Sequence, residues 1–241
     1  MAEVRIGTSG WSYKHWHDGV FYPADLKRGQ ELAYYVTVFD TVEVNSSFYH
    51  VPKESTLRGW RERTPPGFVF ALKASRYLTH RLKLQDAQEP LELFCSRAEL
   101  LGDKLGPILF QLPPSFHVDL ELLASFVALL PREARFTFEF RSDTWFCDEV
   151  YGLLEEHNVA LTVADAPRYP YVERATADFV YLRLHGHEKL YASDYSEEQL
   201  REWAGKMEAW VAQGRDVYCY FDNDLHGHAP ANAATLRQML G

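Results

Sequence analysis

The sequence contains little cysteine and has no long apolar run. Its 241 residues include three widely spaced cysteines, Cys95, Cys147 and Cys219, and no C-x-x-C pair. This spacing gives no signal for a thioredoxin-like motif or a zinc knuckle, and it is typical of reduced thiols in the cytoplasm. No apolar run approaches the ~20 residues of a membrane span, and the opening residues MAEVRIG resemble a strand instead of a signal peptide. We therefore expect a cytoplasmic protein that does not enter a membrane.

Several catalytic and cofactor motifs are also missing. There is no G-x-S-x-G, so a triad hydrolase has no support, and no P-loop or G-x-G-x-x-G follows a predicted strand. The sequence thus predicts no nucleotide cofactor. The formal net charge of -9 does not favour binding to nucleic acid or to an anionic membrane through the overall field. A locally basic cleft remains compatible with this charge.

The chain alternates short β-rich runs with amphipathic helical stretches. The predicted strands cover residues 4–7, 41–45, 68–73, 107–112, 136–140, 160–165, 179–185 and 217–221. The predicted helices cover residues 28–39, 56–64, 86–106, 119–131, 148–158, 196–214 and 231–240, and only the connection after Asp165 lacks a clear helix. Strands separated by helices indicate a parallel sheet. Eight such units in this length favour one domain, residues 1–241, folded as a closed (β/α)8 TIM barrel.

Polar residues accumulate near the C-terminal end of each predicted strand. Successive strand residues point to opposite sides, and barrel enzymes place their chemistry at this end. The sequence predicts that one mouth of the barrel holds Glu43, Asn45, Lys73, Gln111, Glu139, Arg141, Arg183 and His185. Asp165 and Asn223 are added because they end their strands. Alternatively, these groups only neutralise one another, since buried polar groups need partners.

The blocks that contain these residues resemble a known family. They read IGTSGWSYKHWHDGVFYP, FDTVEVNSSFYHVP, RTPPGFVFALKASRYLTH, LGPILFQLPPSF, FEFRSDTWF, YLRLHG and, last, YFDND followed by GHAPANA. In this order they resemble the YecE-like family, domain of unknown function 72. The resemblance implies a TIM barrel and supplies no activity. Where the family usually has Phe-Asn-Asn, this chain has Asp222 at the middle position, while Asn223 matches.

The tetrapeptide LHGH occurs twice, at residues 184–187 and 225–228, and raises the question of a metal site. In the first copy only Arg183, His185 and Gly186 match the family's Arg-x-His-Gly pattern. A catalytic zinc needs at least three protein ligands, and neighbouring cations oppose a metal's charge. The sequence therefore predicts no cofactor. A bound divalent metal is the lesser alternative, with Glu43, Glu139, Asp165 and His185 as its ligands.

The predicted rim carries more positive charge than the whole chain. Its cations and histidines are Lys73, Arg76, His80, Arg81, Arg141, Arg168, Arg183, His185, His187, Lys189, His226 and His228. Such a cleft favours a small anionic ligand, phosphorylated or nucleotide-like. We predict an enzyme, a hydrolase or isomerase, in which Glu139, His185 and Glu43 are catalytic. Substrate would be bound by Lys73, Arg141, Arg183, Asn45, Gln111, Asp165, Asn223, Trp11 and Tyr49, the two aromatics by stacking.

Other functions fit the same residues. Glu43 and Glu139 could form a carboxylate pair acting on a sugar, although the excess of cations does not favour it. A metal-dependent barrel that cleaves phosphodiesters is a further alternative. The last is a non-catalytic protein that binds an anionic metabolite or single-stranded nucleic acid.

Overall fold

The computed structural model describes residues 2–241, and eight parallel strands form its centre. The strands are β1 (Val4–Thr8), β2 (Thr41–Val44), β3 (Val69–Lys73), β4 (Leu105–Gln111), β5 (Phe136–Glu139), β6 (Ala160–Asp165), β7 (Phe179–Leu184) and β8 (Asp216–Phe221). From β2 to β8 each strand pairs with the next in the chain, and β1 pairs with β8, so the hydrogen-bonded order is β1-β8-β7-β6-β5-β4-β3-β2. The predicted (β/α)8 TIM barrel is confirmed.

Helices surround the strands on the outside. They are α1 (Glu31–Val38), the single turn α2 (Ser46–Tyr49), α3 (Glu54–Arg63), α4 (Gln88–Ala98), α5 (Leu120–Val127), α6 (Asp148–Glu156), α7 (Glu197–Ala212) and α8 (His228–Leu240). A capping box begins α7, with Ser196 and Gln199 bonding each other's backbone. The predicted helix 86–106 was too long. It ends at Ala98 and continues as a 3-10 turn in which Gly102 has a φ of 58°. The connection between β6 and β7 contains no helix, as predicted.

Alternating side chains divide the core into two layers. One set, including Phe70, Phe110 and Leu182, faces the helices and is fully buried. The other set fills the barrel interior and contains Ala71, Leu109, Ala160, Phe179, Tyr181, Tyr218 and Tyr220. Above these side chains, at the C-terminal ends of the strands, the interior becomes charged. This arrangement positions the candidate site.

The barrel is weakly paired between β1 and β2. Within residues 2–241, the two strands share a single parallel bridge, from Ser9 to Glu43. Gly7 lies directly against β2: a Cβ atom there would overlap the Thr41 carbonyl oxygen and lie 3.1 Å from the Tyr35 hydroxyl. Only glycine allows this close approach of the two strands.

Two further features concern the cysteines and the character of the helices. All three cysteines are free, with Cys95 and Cys219 buried and Cys147 partly exposed. None of the helices in residues 2–241 combines the length and the apolar character that crossing a bilayer requires.

Candidate functional site

Arg183, on β7, is the centre of the barrel mouth. Its side chain is 1% exposed and binds three carboxylates. Nε donates to Glu43 Oε2 (2.9 Å), and Nη2 donates to Glu43 Oε1 (2.8 Å) and Asp222 Oδ2 (3.0 Å). Nη1 lies 2.7 Å from Glu139 Oε2 and 3.3 Å from His185 Nε2. These contacts account for all five guanidinium N–H groups, so Arg183 has no donor left for a ligand. We therefore assign it to positioning instead of the predicted substrate binding.

Glu43, predicted to be catalytic, is also fully engaged. Its carboxylate is completely buried. Oε1 accepts from the Ser9 hydroxyl (2.7 Å) and Oε2 from the Tyr181 hydroxyl (2.7 Å), in addition to the two bonds from Arg183. Each oxygen thus has two donors. Glu43 fixes Arg183 and the β1–β2 junction and presents no oxygen to the mouth.

Glu139, at the end of β5, has one carboxylate oxygen that Arg183 does not bind. Oε2 is bound by Arg183, whereas Oε1 forms an ion pair with Arg141 and lies 3.8 Å from His185 Nε2. Burial alone would raise the pKa of this carboxyl group. Arg141, Arg183, His185 and Lys73 together hold the pKa well below its usual range, so Glu139 is ionised.

His185 and Asp222 form a pair behind Glu139. His185 Nδ1 lies 3.0 Å from Asp222 Oδ2, and Nε2 faces a guanidinium that can only donate. This assigns the proton to Nδ1 and the lone pair to Nε2. Burial and the charge of Arg183 lower the pKa of His185, so the imidazole is neutral at neutral pH. The sequence interpretation treated Asp222 only as a departure from the family pattern. Its parity with Tyr218 and Tyr220 was the signal that it points inward.

An upper layer of four partly exposed side chains covers these buried charges. They stand at the ends of β2 to β5 and are Asn45, Lys73, Gln111 and Arg141. Asn45 Oδ1 and Arg141 Nε are buried atoms that have no hydrogen-bond partner among the described residues. The upper layer therefore contains an acceptor and a donor that the protein leaves unsatisfied, which is costly unless another group binds them.

Lys73 belongs to the same layer and lacks a direct counterion in the described part of the chain. Its Nζ lies 4.5 Å from the centroid of the Phe48 ring. Burial and the charge of Arg183 lower the pKa of Lys73 to about 8, although Glu139, Glu43 and Asp222 act in the opposite direction. The lysine is therefore close to its titration range at physiological pH.

Asp165 and Asn223 were expected at the mouth, and this expectation was wrong. Asp165 accepts from the Tyr195 hydroxyl (2.8 Å), lies 3.0 Å from His187 Nδ1 and borders a cavity of about 760 Å³ against α7. Asn223 Nδ2 donates to Asn232 Oδ1 (2.9 Å) in α8. Both residues share the parity of the outward-facing side chains of their strands, so they join the strands to the helix layer.

The predicted aromatic residues also lie elsewhere. Trp11 packs edge-on against Trp60 (5.3 Å between centroids) and Phe70 (6.3 Å), within the strand–helix layer. Tyr49 is 60% exposed on the rim. The site is instead covered by two tyrosines from the connections that follow β6 and β7, which sequence analysis did not identify.

These tyrosines are Tyr169 and Tyr191. The Tyr169 ring centroid lies 3.6 Å from Arg141 Cζ and 5.6 Å from the His185 ring. The Tyr191 ring also approaches His185, with 5.7 Å between the ring centroids. Both residues occur in connecting segments rather than in periodic elements, so no strand parity predicts their orientation.

The metal alternative lacks a ligand set in the described chain. Across residues 2–241, no three His, Cys, Asp or Glu side chains are arranged to hold a metal ion. Arg183 lies between Glu43 and Glu139 and already neutralises them, and Asp165 points away.

Comparison with known proteins places the chain in a family. Residues 5–241 match the family described as "Protein of unknown function DUF72". UPF0759 protein YunF of Bacillus subtilis is 26% identical over 98% of this chain and 94% of its own length. UPF0759 protein YecE of Escherichia coli K12 is 28% identical over 59% of this chain and 50% of its own length.

Solved structures agree with this assignment. A DUF72 family protein from Thermotoga maritima superposes with a TM-score of 0.90, at 32% identity over 99% of both chains. Another from Enterococcus faecalis shares the fold, with a TM-score of 0.85 and 18% identity over 98% of this chain and 95% of that one. The predicted resemblance is confirmed, and the chain belongs to the DUF72 (YecE-like, UPF0759) family of TIM-barrel proteins.

Proposed function

We propose that this protein is an enzyme that binds a small anionic ligand at the barrel mouth and acts on it by general acid–base chemistry. The observation that supports the proposal is the unsatisfied upper layer. Arg141 Nε lacks a partner in the described residues, and Lys73 lacks a direct counterion there. Below them, the carboxylates of Glu43, Glu139 and Asp222 are already bound to Arg183. An anion would therefore contact the upper layer first, through Arg141 and Lys73.

The proposed base is Glu139, with His185 behind it. In the free protein, Arg141 helps to keep the pKa of Glu139 low, which makes its carboxylate a weak base. An anion bound by Arg141 would compete with Glu139 for the guanidinium and raise the pKa of the carboxyl group. Glu139 Oε1 would then accept a substrate proton, and the neutral His185 Nε2, 3.8 Å away, would share it.

Anion binding tests the first step of this proposal. We expect phosphate, sulfate or pyruvate at low ionic strength to raise the melting temperature of the wild-type protein. Arg141→Gln and Lys73→Gln should each weaken binding by about tenfold, the value of one charge-assisted hydrogen bond. The matched control is Arg81→Gln, because Arg81 is an exposed rim cation that stacks 5.6 Å from the Tyr77 ring. Equal losses in all three variants would show that only the general field attracts anions.

The same titration has an expected pH dependence. Only the protonated form of Lys73 attracts an anion, and its pKa is lowered to about 8. Affinity should therefore fall as the pH rises through about 8, and this fall should be absent in Lys73→Gln. A wild-type affinity that stays constant between pH 7 and pH 9 would argue against a role for Lys73.

Turnover separates an enzyme from a binding protein. Glu139→Gln and His185→Asn should abolish consumption of a substrate without weakening anion binding, since neither residue holds the anion and loss of the Glu139 charge frees Arg141. If both variants only weaken binding, and no compound is consumed by the wild type, the non-catalytic alternative is correct.

A further inference from the structure

Lys73, which is partly exposed at the mouth, differs from the buried Lys104. Lys104 Nζ donates to the carbonyl oxygens of Arg61 (2.7 Å) and Thr64 (2.5 Å) and contacts the Thr64 hydroxyl at 3.0 Å. These three acceptors satisfy all the protons of an ammonium group. Lys73, by contrast, has a phenyl ring beside its Nζ and no acceptor among the described residues. Burial lowers the pKa of both lysines, but three acceptors hold the ammonium group of Lys104, whereas none in the described chain holds that of Lys73.

The position of Lys73 is also suitable for covalent chemistry. It ends β3, one strand from Asn45 and one strand from Gln111, and these side chains are partly exposed at the mouth. The Glu139 carboxylate and the Arg141 guanidinium follow on β5 and just beyond it. An amine, a carboxylate and an anion-binding group thus surround the same entrance.

We infer that Lys73 is a nucleophile that forms a protonated imine with a small anionic aldehyde or ketone, such as a 2-oxo acid. The inference rests on the proposed function for the anionic group of the substrate, which Arg141 would bind. A neutral lysine amine in an apolar, cation-rich setting is the usual form of such a nucleophile. The lowered pKa of Lys73, about 8, leaves a useful fraction of neutral amine at physiological pH.

The proposed step balances without an oxidant or a reductant. The lone pair of Nζ attacks the carbonyl carbon, a C–N bond forms, and the carbonyl π electrons move to oxygen, which takes up a proton. The resulting carbinolamine loses its hydroxyl group as water when the C–O bond breaks. Overall, one ammonium and one carbonyl compound give one protonated imine and one water. The imine withdraws electrons from the adjacent carbon, from which Glu139 Oε1 would accept a proton.

Reductive trapping tests the inference in the wild-type protein. Pyruvate would be added at pH 8 with sodium cyanoborohydride, and alkylated lysines would be identified by mass spectrometry of peptides. The reduced imine is a stable secondary amine on the lysine that formed it. We expect Lys73 to be modified at least about tenfold faster than Lys104 and the exposed lysines, because more of it is neutral. Modification of Lys73 at the rate of exposed lysines would overturn the inference.

Two comparisons separate this inference from the proposed function. Hydroxyacetone is a neutral carbonyl compound, and Arg141→Gln removes the proposed anion-binding group. If pyruvate raises the melting temperature of the wild type but not of Arg141→Gln, and leaves no adduct on Lys73, the covalent step is refuted and anion binding is supported. If Lys73 reacts equally with pyruvate and hydroxyacetone in the wild type and in Arg141→Gln, the role of Lys73 as a nucleophile is supported and the preference for an anionic substrate is refuted. Lys73→Arg should remove the adduct while the modification of the other lysines continues.

Discussion

Replacing Arg183 by methionine should lower the free energy of unfolding by about 3–5 kcal/mol at pH 7.5. The change keeps an unbranched stem and removes the charge that binds Glu43, Glu139 and Asp222. Three buried carboxylates would then face one another with much less compensation, which costs far more than the original ion pairs contribute. Urea denaturation followed by circular dichroism measures the loss.

The stability of the same variant should depend on pH in the opposite direction to that of the wild type. In the wild-type protein the pKa values of Glu139 and Asp222 are lowered, because nearby cations outweigh the effect of burial. Their contribution to stability is present above the unfolded pKa values, near 4, and is lost as the pH falls below them. Without Arg183, burial raises these pKa values, so protonation favours the folded state. The free energy of unfolding of Arg183→Met should thus rise as the pH falls from 7.5 to 5, whereas that of the wild type should change little over this range.

Arg135→Met is the matched control for Arg183. Arg135 Nη1 also binds a carboxylate, Asp216 Oδ2 at 2.7 Å, but its side chain is 33% exposed and lies near the start of β8. Water can solvate Asp216 when Arg135 is removed, so the expected loss in the free energy of unfolding is about 1 kcal/mol or less. Equal losses in the two variants would mean that burial of the Arg183 cluster has no special energetic weight.

Gly7→Ala should destabilise the protein by about 3 kcal/mol, the upper part of the usual range for overpacking a rigid site. The new methyl group would overlap the Thr41 carbonyl oxygen and contact the Tyr35 hydroxyl. Both neighbours are constrained, since Tyr35 OH bonds the Thr8 amide (3.0 Å) and Thr41 belongs to β2. The strands would have to separate at their weakest junction. Thermal unfolding in a calorimeter gives the change.

Gly152→Ala provides the contrast within the same protein. Gly152 lies inside α6, and a Cβ atom there would meet no atom within 4 Å. Alanine favours the helix over glycine, so this variant should gain about 0.5–1 kcal/mol. A Gly7 variant as stable as the Gly152 variant would show that β1 and β2 can move apart freely.

The sequence predicts the strands because strands carry a strong local signal. Each has an apolar side of period two and a polar residue at its C-terminal end, as in the run Phe136 to Arg141. The same parity brings Glu43, Glu139, Arg183 and His185 into one cluster, where the structure places them. Parity also distinguishes Asp222, which faces the barrel interior, from Asn223, which faces the helices. Applied to β8, it predicts Asp222 instead of Asn223 at the mouth.

Other features have no local signal. The sequence shows that Arg183 faces inward, but not that three carboxylates and His185 use all its donors, since this depends on the distances between four strands. The covering positions of Tyr169 and Tyr191 depend on irregular connections, where no periodicity exists. The lack of an acceptor near Lys73 is likewise a property of its spatial neighbours. Burial and pairing in three dimensions decide these roles.

The pairing of β1 has a consequence for the order of folding. Its one complete ladder joins Val4–Thr8 to residues 217–221, more than 200 positions further along the chain. Contacts of such sequence separation form slowly, because a long loop must close before they form. During synthesis, β1 must therefore wait until β8 has left the ribosome. Of the eight barrel strands, the first to be made is the last to find its partner.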